Sequence, residues 1–343
     1  MPAAFRSGKR LGRNVMPASM TRRAFVLNAA AVPLAMPKPA IAQSGFPSRP
    51  IRIVIGFPPG GGIDILARLM APKMSERLGQ PVVVENRPGA NGLIATQGVQ
   101  QSDADGHTIL FGTTGNLAVN PVLYAEKPGM NMEKDFSPLS NVASLGFVLV
   151  VNPSLQVNSL KELIELAKAK PGVLTFGSSG NGGLPHLSGE LLNLQAGIKT
   201  LHVPYRGSAP AFTDLISGQV DFVFDALAIA QPHIEAGRLR AIATTGAKRM
   251  AALSGIPTAS ETLPKFEVVN WYGMAVRAGT SAEIVQRLQR EVAQAITQPD
   301  VAERAKTLGL DLIGSKPEDF ARFQREEIAK WRDVIRMANI KGE

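Results

Sequence analysis

Two glycine-rich stretches hold the residues of this chain best suited to chemistry, and neither fits a nucleotide. The first, FPPGGGID over residues 57–64, follows the alternating apolar run Ile51, Ile53, Ile55, Phe57 and leads into a helix-patterned segment. Consecutive glycines remove side chains and expose backbone N–H groups, which lets an anion settle against a loop. No Lys-Ser/Thr follows Gly60, Gly61 and Gly62, so this is not a phosphate-binding P-loop, and the spacing also breaks the dinucleotide fingerprint G-x-G-x-x-G. A strand-to-helix turn remains, whose free amides and helix N-terminus suit a small anion such as a carboxylate, or serve as a turn alone. Asp64 stands where it would cap that helix.

The second stretch, GSSGNGG over residues 177–183, has the same placement after a strand. It misses the serine-hydrolase elbow G-x-S-x-G by one residue, because Asn181 occupies the position of the last glycine. Ser178, Ser179 and Asn181, with the amides of Gly180 and Gly182, suit hydrogen bonding to a carboxylate better than nucleophilic attack. His186 is the base that a hydrolase built on Ser178 or Ser179 would use; a partly buried helix histidine is the plainer reading. His107, His186, His202 and His233 never fall in metal-ligand spacing and no cysteine assists them, so neither a metal nor a cofactor is expected. Asp103, Asp105 and Gly106 read as a turn, since the later ligands of a calcium loop are missing. Asp225, at the end of an apolar strand, is a ligand-contact candidate.

The elements that position these loops alternate between strand and helix, as in α/β folds. Strands are expected at 51–57, 81–85, 108–111, 148–151, 173–177, 201–205, 220–224, 240–245 and 268–276. Helices are expected at 64–78, ending at Gly79, at 159–170 behind a Ser159/Glu162 capping box, at 209–216, at 281–297, and from Ser315, with Ser315 and Glu318 as its cap, to Met337. Thr113 and Thr114 lie in a polar loop after the 108–111 strand. The order predicts two α/β lobes joined by crossing strands.

The formal charge of +9 is concentrated at the start. Residues 1–42 hold Arg6, Lys9, Arg10, Arg13, Arg22, Arg23 and Lys38 with no acid, while the remaining 30 cations face 28 acids. The body is nearly neutral, which removes the main support for nucleic-acid binding. Arg22-Arg23, a short apolar stretch to Met36 and Ala40-Ile41-Ala42 form a twin-arginine export signal over residues 1–42, with cleavage expected after Ala42. A basic tail on a cytoplasmic protein is the alternative. Without cysteine the exported chain forms no disulfide, and no apolar run is long enough to span a bilayer.

Three passages resemble a known family: FPSRPIRIVIGFPPGGGIDILARLMAPKMSERLGQPVVVENRPGANG, then FGSSGNGGLPHLSGELL, then HVPYRGSAPAFTDLISGQVDFVFD. They are similar, in order, to the tripartite tricarboxylate transporter receptors, the Bug-type periplasmic solute-binding proteins. The resemblance implies a two-lobed α/β periplasmic binding protein of the type II, Venus-flytrap kind. Lobe 1 would combine residues 43–143 and 244–343, and lobe 2 would hold 144–243. It further implies a non-enzymatic, monomeric receptor that hands a small organic carboxylate to the membrane permease subunits of a tripartite transporter. Phe57, Pro58, Pro59, Gly60, Gly61 and Asp64 would face Ser178, Ser179, Gly180, Asn181 and Gly182 across the cleft. Thr113, Thr114, Tyr205, Arg206, Gly207, Asp225 and Ala226 would line the remainder. Ile63, Gly183 and His107 depart from the family pattern, the first two near the expected ligand. A sensor feeding a membrane signalling partner would reuse the same cleft.

Overall fold

The computed structural model describes residues 45–125 and 131–341, so the export signal and its cleavage position lie outside the described residues. The chain begins with β1 (Ile51–Ile55), α1 (Gly62–Leu78), β2 (Val82–Asn86), α2 (Leu93–Gln100) and β3 (Thr108–Thr113). A π-helical turn at Gly115–Val119 and the short helices α3 (Asn120–Leu123) and α4 (Met132–Asp135) lead to the 16-residue strand β4 (Phe136–Val151). Then come α5 (Leu160–Ala169), β5 (Thr175–Ser178), α6 (Leu184–Ala196), β6 (Leu201–Pro204), α7 (Ser208–Ser217), β7 (Phe222–Ala226), α8 (Leu227–Glu235) and β8 (Arg240–Thr244). The chain continues through β9 (Val269–Arg277), α9 (Ala282–Ile296), α10 (Pro299–Thr307), β10 (Asp311–Leu312) and α11 (Pro317–Met337). Among the described residues no helix is long and apolar enough to cross a membrane.

Local sequence explains most of these elements. Ile51, Ile53, Val54 and Ile55 are all buried, the mark of a strand covered on both faces. Helix α1 turns Leu66, Met70 and Met74 inward at one-turn spacing and stops at Gly79, whose φ of 69° lets its N–H reach Ser75 O. Ser159 caps α5 as expected, accepting from Glu162 N, while Glu162 accepts from Asn158 N. Ser315 is a correction. Helix α11 starts at Pro317 behind Lys316, which makes no side-chain cap, and Ser315 Oγ accepts from Asn141 N at 2.9 Å.

The strands run in the order β2-β1-β3-β9-β4-β7-β5-β6, with β8 and β10 also paired to β4. Pairings β1/β2, β1/β3, β5/β6 and β5/β7 are parallel; every pairing of β4 or β9 is antiparallel. The architecture is mixed α/β, as expected, but β4 is four times the strand foreseen at its end. Ser137, Pro138, Ser140, Asn141 and Ser144 hide it from hydrophobic patterning, and Pro138 is accommodated where the β4/β9 register shifts.

Strand β4 changes partners midway: Gly146 faces Val269 of β9, and Phe147 faces Ala226 of β7. The chain returns beside this point through Thr245. Its Oγ1 accepts from Phe147 N at 2.7 Å and donates to Val268 O at 2.5 Å, while its N–H donates to Phe147 O at 2.9 Å. A Cβ on Gly146 would lie 2.9 Å from Gly246 N, so glycine lets the two backbones approach.

Helix α11 packs Phe320, Trp331 and Val334 into the core. Trp271 Nε1 and Trp331 Nε1 both donate to Glu327 Oε2, at 3.0 and 3.1 Å. The Phe320 ring covers Gly273 of β9, where an added Cβ would sit 2.2 Å from Cζ. Gly273→Ala is therefore expected to destabilise the protein by about 1–3 kcal/mol through overpacking. A urea midpoint equal to wild type would show that α11 is not locked there.

Candidate functional site

Ligands of α/β folds settle beyond the carboxyl ends of parallel strands. Here those ends are Ile55, Thr113, Ser178, Pro204 and Ala226, and the expected residues follow them.

After β1, Pro58, Pro59, Gly60 and Gly61 are exposed and Phe57 is half-buried. Open space lies before Gly60 and Gly61, and Gly60 takes a φ of 92°. Gly61 is the N-cap of α1 and has no side-chain cap. Asp64 does not cap the helix in the expected way. It is 2% exposed and reaches back to accept from Gly60 N at 2.9 Å, from Asn86 Nδ2 at 2.9 Å and from Arg68 Nε at 3.0 Å. Burial pushes its carboxyl up, but the bonds from Arg68, Gly60 and Asn86 together hold it below the usual carboxylate value. Asn86 also donates to Phe57 O. The amides of Gly61, Gly62 and Ile63 have no acceptor among the described residues, and they point along the positive end of the helix dipole. The Ile63 side chain itself is buried in the core.

Thr113 and Thr114 are nearly or fully buried. Thr113 N and Oγ1 both donate to Asn116 Oδ1 at 2.6 and 3.3 Å, and Thr114 Oγ1 accepts from Trp271 N and donates to Val269 O. The Thr114 hydroxyl thus ties the end of β3 to β9, and the Thr113 hydroxyl holds the turn that follows. Tyr272 was not foreseen. It pairs with Thr113 across β3 and β9, and its hydroxyl comes within 3.0 Å of a Cβ built on Gly62. Burial pushes the phenol up to about 12, and the hydroxyl has no hydrogen-bond partner among the described residues.

In the second loop Ser178 is fully buried, Ser179 and Gly180 are half-buried, Asn181 is exposed and Gly182 is buried. Ser178 Oγ donates to Gly180 O at 3.1 Å and accepts from Gly180 N at 3.3 Å. Gly182 N donates to His186 Nδ1 at 3.0 Å, and Asn181 Nδ2 to Lys341 O at 3.4 Å. The amides of Ser179 and Asn181 are left without an acceptor among the described residues. Tyr205 N and Gly207 N donate to Ser178 O and Ser179 O, laying the segment after β6 alongside this loop. The Tyr205 hydroxyl donates to Asp214 at 2.6 Å; burial and Asp214 push it up to about 12. Arg206 is exposed and has no ion pair among the described residues.

Asp225 is 5% exposed. Its Oδ1 accepts from Ala226 N, Oδ2 is buried without a partner, and burial raises its carboxyl above the ordinary value against the pull of Ser208 and Ala226. Ala226 packs against the core cluster of the first half of the sheet and against the one that runs through both halves. A Cβ on Gly182 would touch Leu123 of α3, so the second loop abuts the first half. No hydrogen bond joins it to residues 57–64 among the described residues.

His186, the base considered for Ser178 or Ser179, is 5% exposed and engaged with Gly182. His202, from β6, instead places Nε2 2.6 Å from Ser178 Oγ. Burial, and then the adjacent His186, push the His202 imidazole down to about 4 against the opposing pull of Glu190. No sequence signal ties His202 to Ser178, because the two meet only through the pairing of β5 with β6.

The model of the tripartite tricarboxylate transporter family receptor matches residues 66–340. A protein from Pseudomonas sp. (strain P51), described as a UPF0065 protein in the tcbD-tcbE intergenic region, is 41% identical over 292 residues, 84% of this chain and 86% of its own. Among solved structures, R. palustris Rpa4515 with adipate superposes with a TM-score of 0.72 at 37% identity, covering 86% of this chain and 99% of that one. MatC from Rhodopseudomonas palustris, with bound malate, gives 0.70 at 31% identity, covering 84% and 100%.

Proposed function

Because this chain belongs to the tripartite tricarboxylate transporter receptor family, we propose that it is a periplasmic receptor that binds a small organic carboxylate between two lobes and delivers it to the membrane permease of such a transporter. The observation that carries the reading is the pair of strand-ending loops with unengaged amides: Gly61, Gly62 and Ile63 at the start of α1, and Ser179 and Asn181 after β5. A carboxylate leaving water needs several fixed donors, and peptide amides supply them without a neutralising cation. The Tyr272 hydroxyl adds a donor beside Gly62. The adipate- and malate-bound relatives support a dicarboxylate as guest. The partner change of β4 supports lobe boundaries near residues 143 and 244, with Thr245 and Gly146 at the hinge.

The geometry favours capture over hydrolysis. Ser178 is shielded from any substrate carbonyl, and an imidazole that protonates only near 4 is a weak base for it. Calorimetric titration of ligand-stripped protein with mono-, di- and tricarboxylates is expected to show a dicarboxylate binding with Kd on the order of micromolar. Binding of apolar or cationic compounds with no response to any carboxylate would refute the proposal, and turnover of an activated ester lost on Ser178→Ala would favour an enzyme instead.

A further inference from the structure

Two amides of the second loop are held away from any ligand, and two histidines do the holding. Gly182 N donates to His186 Nδ1 at 3.0 Å, while Gly180 N is tied to Ser178 Oγ, which shares a 2.6 Å hydrogen bond with His202 Nε2. The two imidazoles lie face to face, with centroids 3.6 Å apart and planes 7° from parallel. Phe176 stacks beside them, 5.0 Å from His202 and 6.2 Å from His186. The pair therefore grips the loop near both ends.

Resting on the carboxylate reading of this loop, we propose that His202 and His186 are positioning residues of the site: stacked as one unit, they fix Ser178 and Gly182 so that the Ser179 and Asn181 amides between them stay free for the carboxylate. The arrangement works only with unprotonated rings. His186 Nδ1 accepts a hydrogen bond, so a proton there would set donor against donor. A charge on each ring would place two cations at stacking distance in a partly buried site.

The groups that bear on His202 electrostatically are His186 and Glu190, both on α6, whose Oε1 lies 3.7 Å from His186 Nε2. Strand β5 presents Phe176 and Ser178, and β7 presents Phe222 behind Phe176; none of these titrates in the working range. Helix α11 packs on α6 but makes no ion pair or hydrogen bond with either ring among the described residues. Burial keeps His202 neutral down to about 4, so its own hydrogen bond to Ser178 is undisturbed through the ordinary range of pH.

The test uses three chains, wild type, His202→Phe and His202→Gln, with two measurements on each. Calorimetry with adipate and with malate reads affinity; amide hydrogen exchange of the ligand-free protein reads the order of residues 178–186. Phe keeps a ring to stack but loses the hydrogen bond to Ser178, and is expected to weaken binding and speed loop exchange by roughly tenfold or more. Gln restores a polar group toward Ser178 and is expected to return both to within about threefold of wild type. Wild-type affinity is expected to fall as the pH drops toward about 4, where His202 gains its proton, whereas the Gln variant, which keeps only one of the two rings, loses less.

Wild-type binding and exchange in the Phe variant would overturn the proposal. So would a Gln variant as impaired as Phe at equal thermal stability, or identical pH profiles for wild type and Gln. Should Phe fail to fold, the comparison of pH profiles decides. Should wild type bind neither dicarboxylate, the carboxylate reading falls, and loop exchange still decides whether the histidines position the loop.

Discussion

Asp64→Ala is expected to lower stability by about 2–4 kcal/mol and to weaken carboxylate binding by at least roughly tenfold. The carboxylate is buried and accepts from a loop amide, Gly60 N, and from two side chains, Asn86 and Arg68. Alanine leaves these donors without their acceptor, and it also frees the glycine turn whose shape presents the amides of Gly61 and Gly62. Asparagine is no remedy, because its NH₂ must meet one of the same donors.

The pH dependence follows from the lowered carboxyl of Asp64. A group whose folded pKa lies below its unfolded value stabilises above the unfolded value and loses that contribution as pH falls through the folded one. The stability gap between wild type and Asp64→Ala should thus be full at neutral pH and narrow as the pH falls below 3.8, the ordinary value of an aspartic acid. Urea denaturation across this range measures it. A gap that is small at pH 7, or constant into strong acid, would contradict the role given to Asp64.

Thr245→Val is expected to destabilise by about 2–3 kcal/mol although the two side chains have nearly the same shape. Thr245 is fully buried, and its hydroxyl links Phe147 N in β4 to Val268 O ahead of β9. Valine leaves both main-chain groups buried and unpaired at the point where β4 exchanges one set of partners for the other. Because this is the proposed hinge, the substitution should also alter the affinity for carboxylates by changing how far the lobes close. A denaturation midpoint within experimental error of wild type, with binding unchanged, would place the hinge elsewhere.

What the sequence disclosed, and what it withheld, follows physical lines. Strand β1 and helix α1 were legible because Ile51, Ile53 and Ile55 on one side of the glycine turn and Leu66, Met70 and Met74 on the other carry apolar periodicity, and Gly79 closes the helix. The first part of β4 was not, since Ser137, Pro138, Ser140 and Asn141 break its apolar alternation, while the pairing with β9 and the bond from Asn141 N to Ser315 Oγ that hold it are beyond local patterning. Helix α10 escaped because Pro299 looks like a break in a longer pattern, whereas it occupies the first turn of a new helix.

At the candidate site, the glycine loops announced themselves through composition. Which amides remain free did not, since that is decided by Asp64 reaching Gly60 and by His186 reaching Gly182. Thr113 and Thr114 lie at the end of β3, and their hydroxyls face protein partners. Tyr272 and His202 join the site through strand pairing alone, a relation that spacing along the chain does not encode.

The shared bond of Trp271 and Trp331 to Glu327 has an optical consequence. These are the only two tryptophans in the sequence, and both indoles rest on one carboxylate oxygen. The ultraviolet emission of the protein therefore originates from a single locale, three residues along the chain from Val268 and its bond to Thr245. No label need be attached: the spectrum is an intrinsic gauge of how α11 rests on the strand that leaves the proposed pivot, and it stays dark to events confined to the glycine loops.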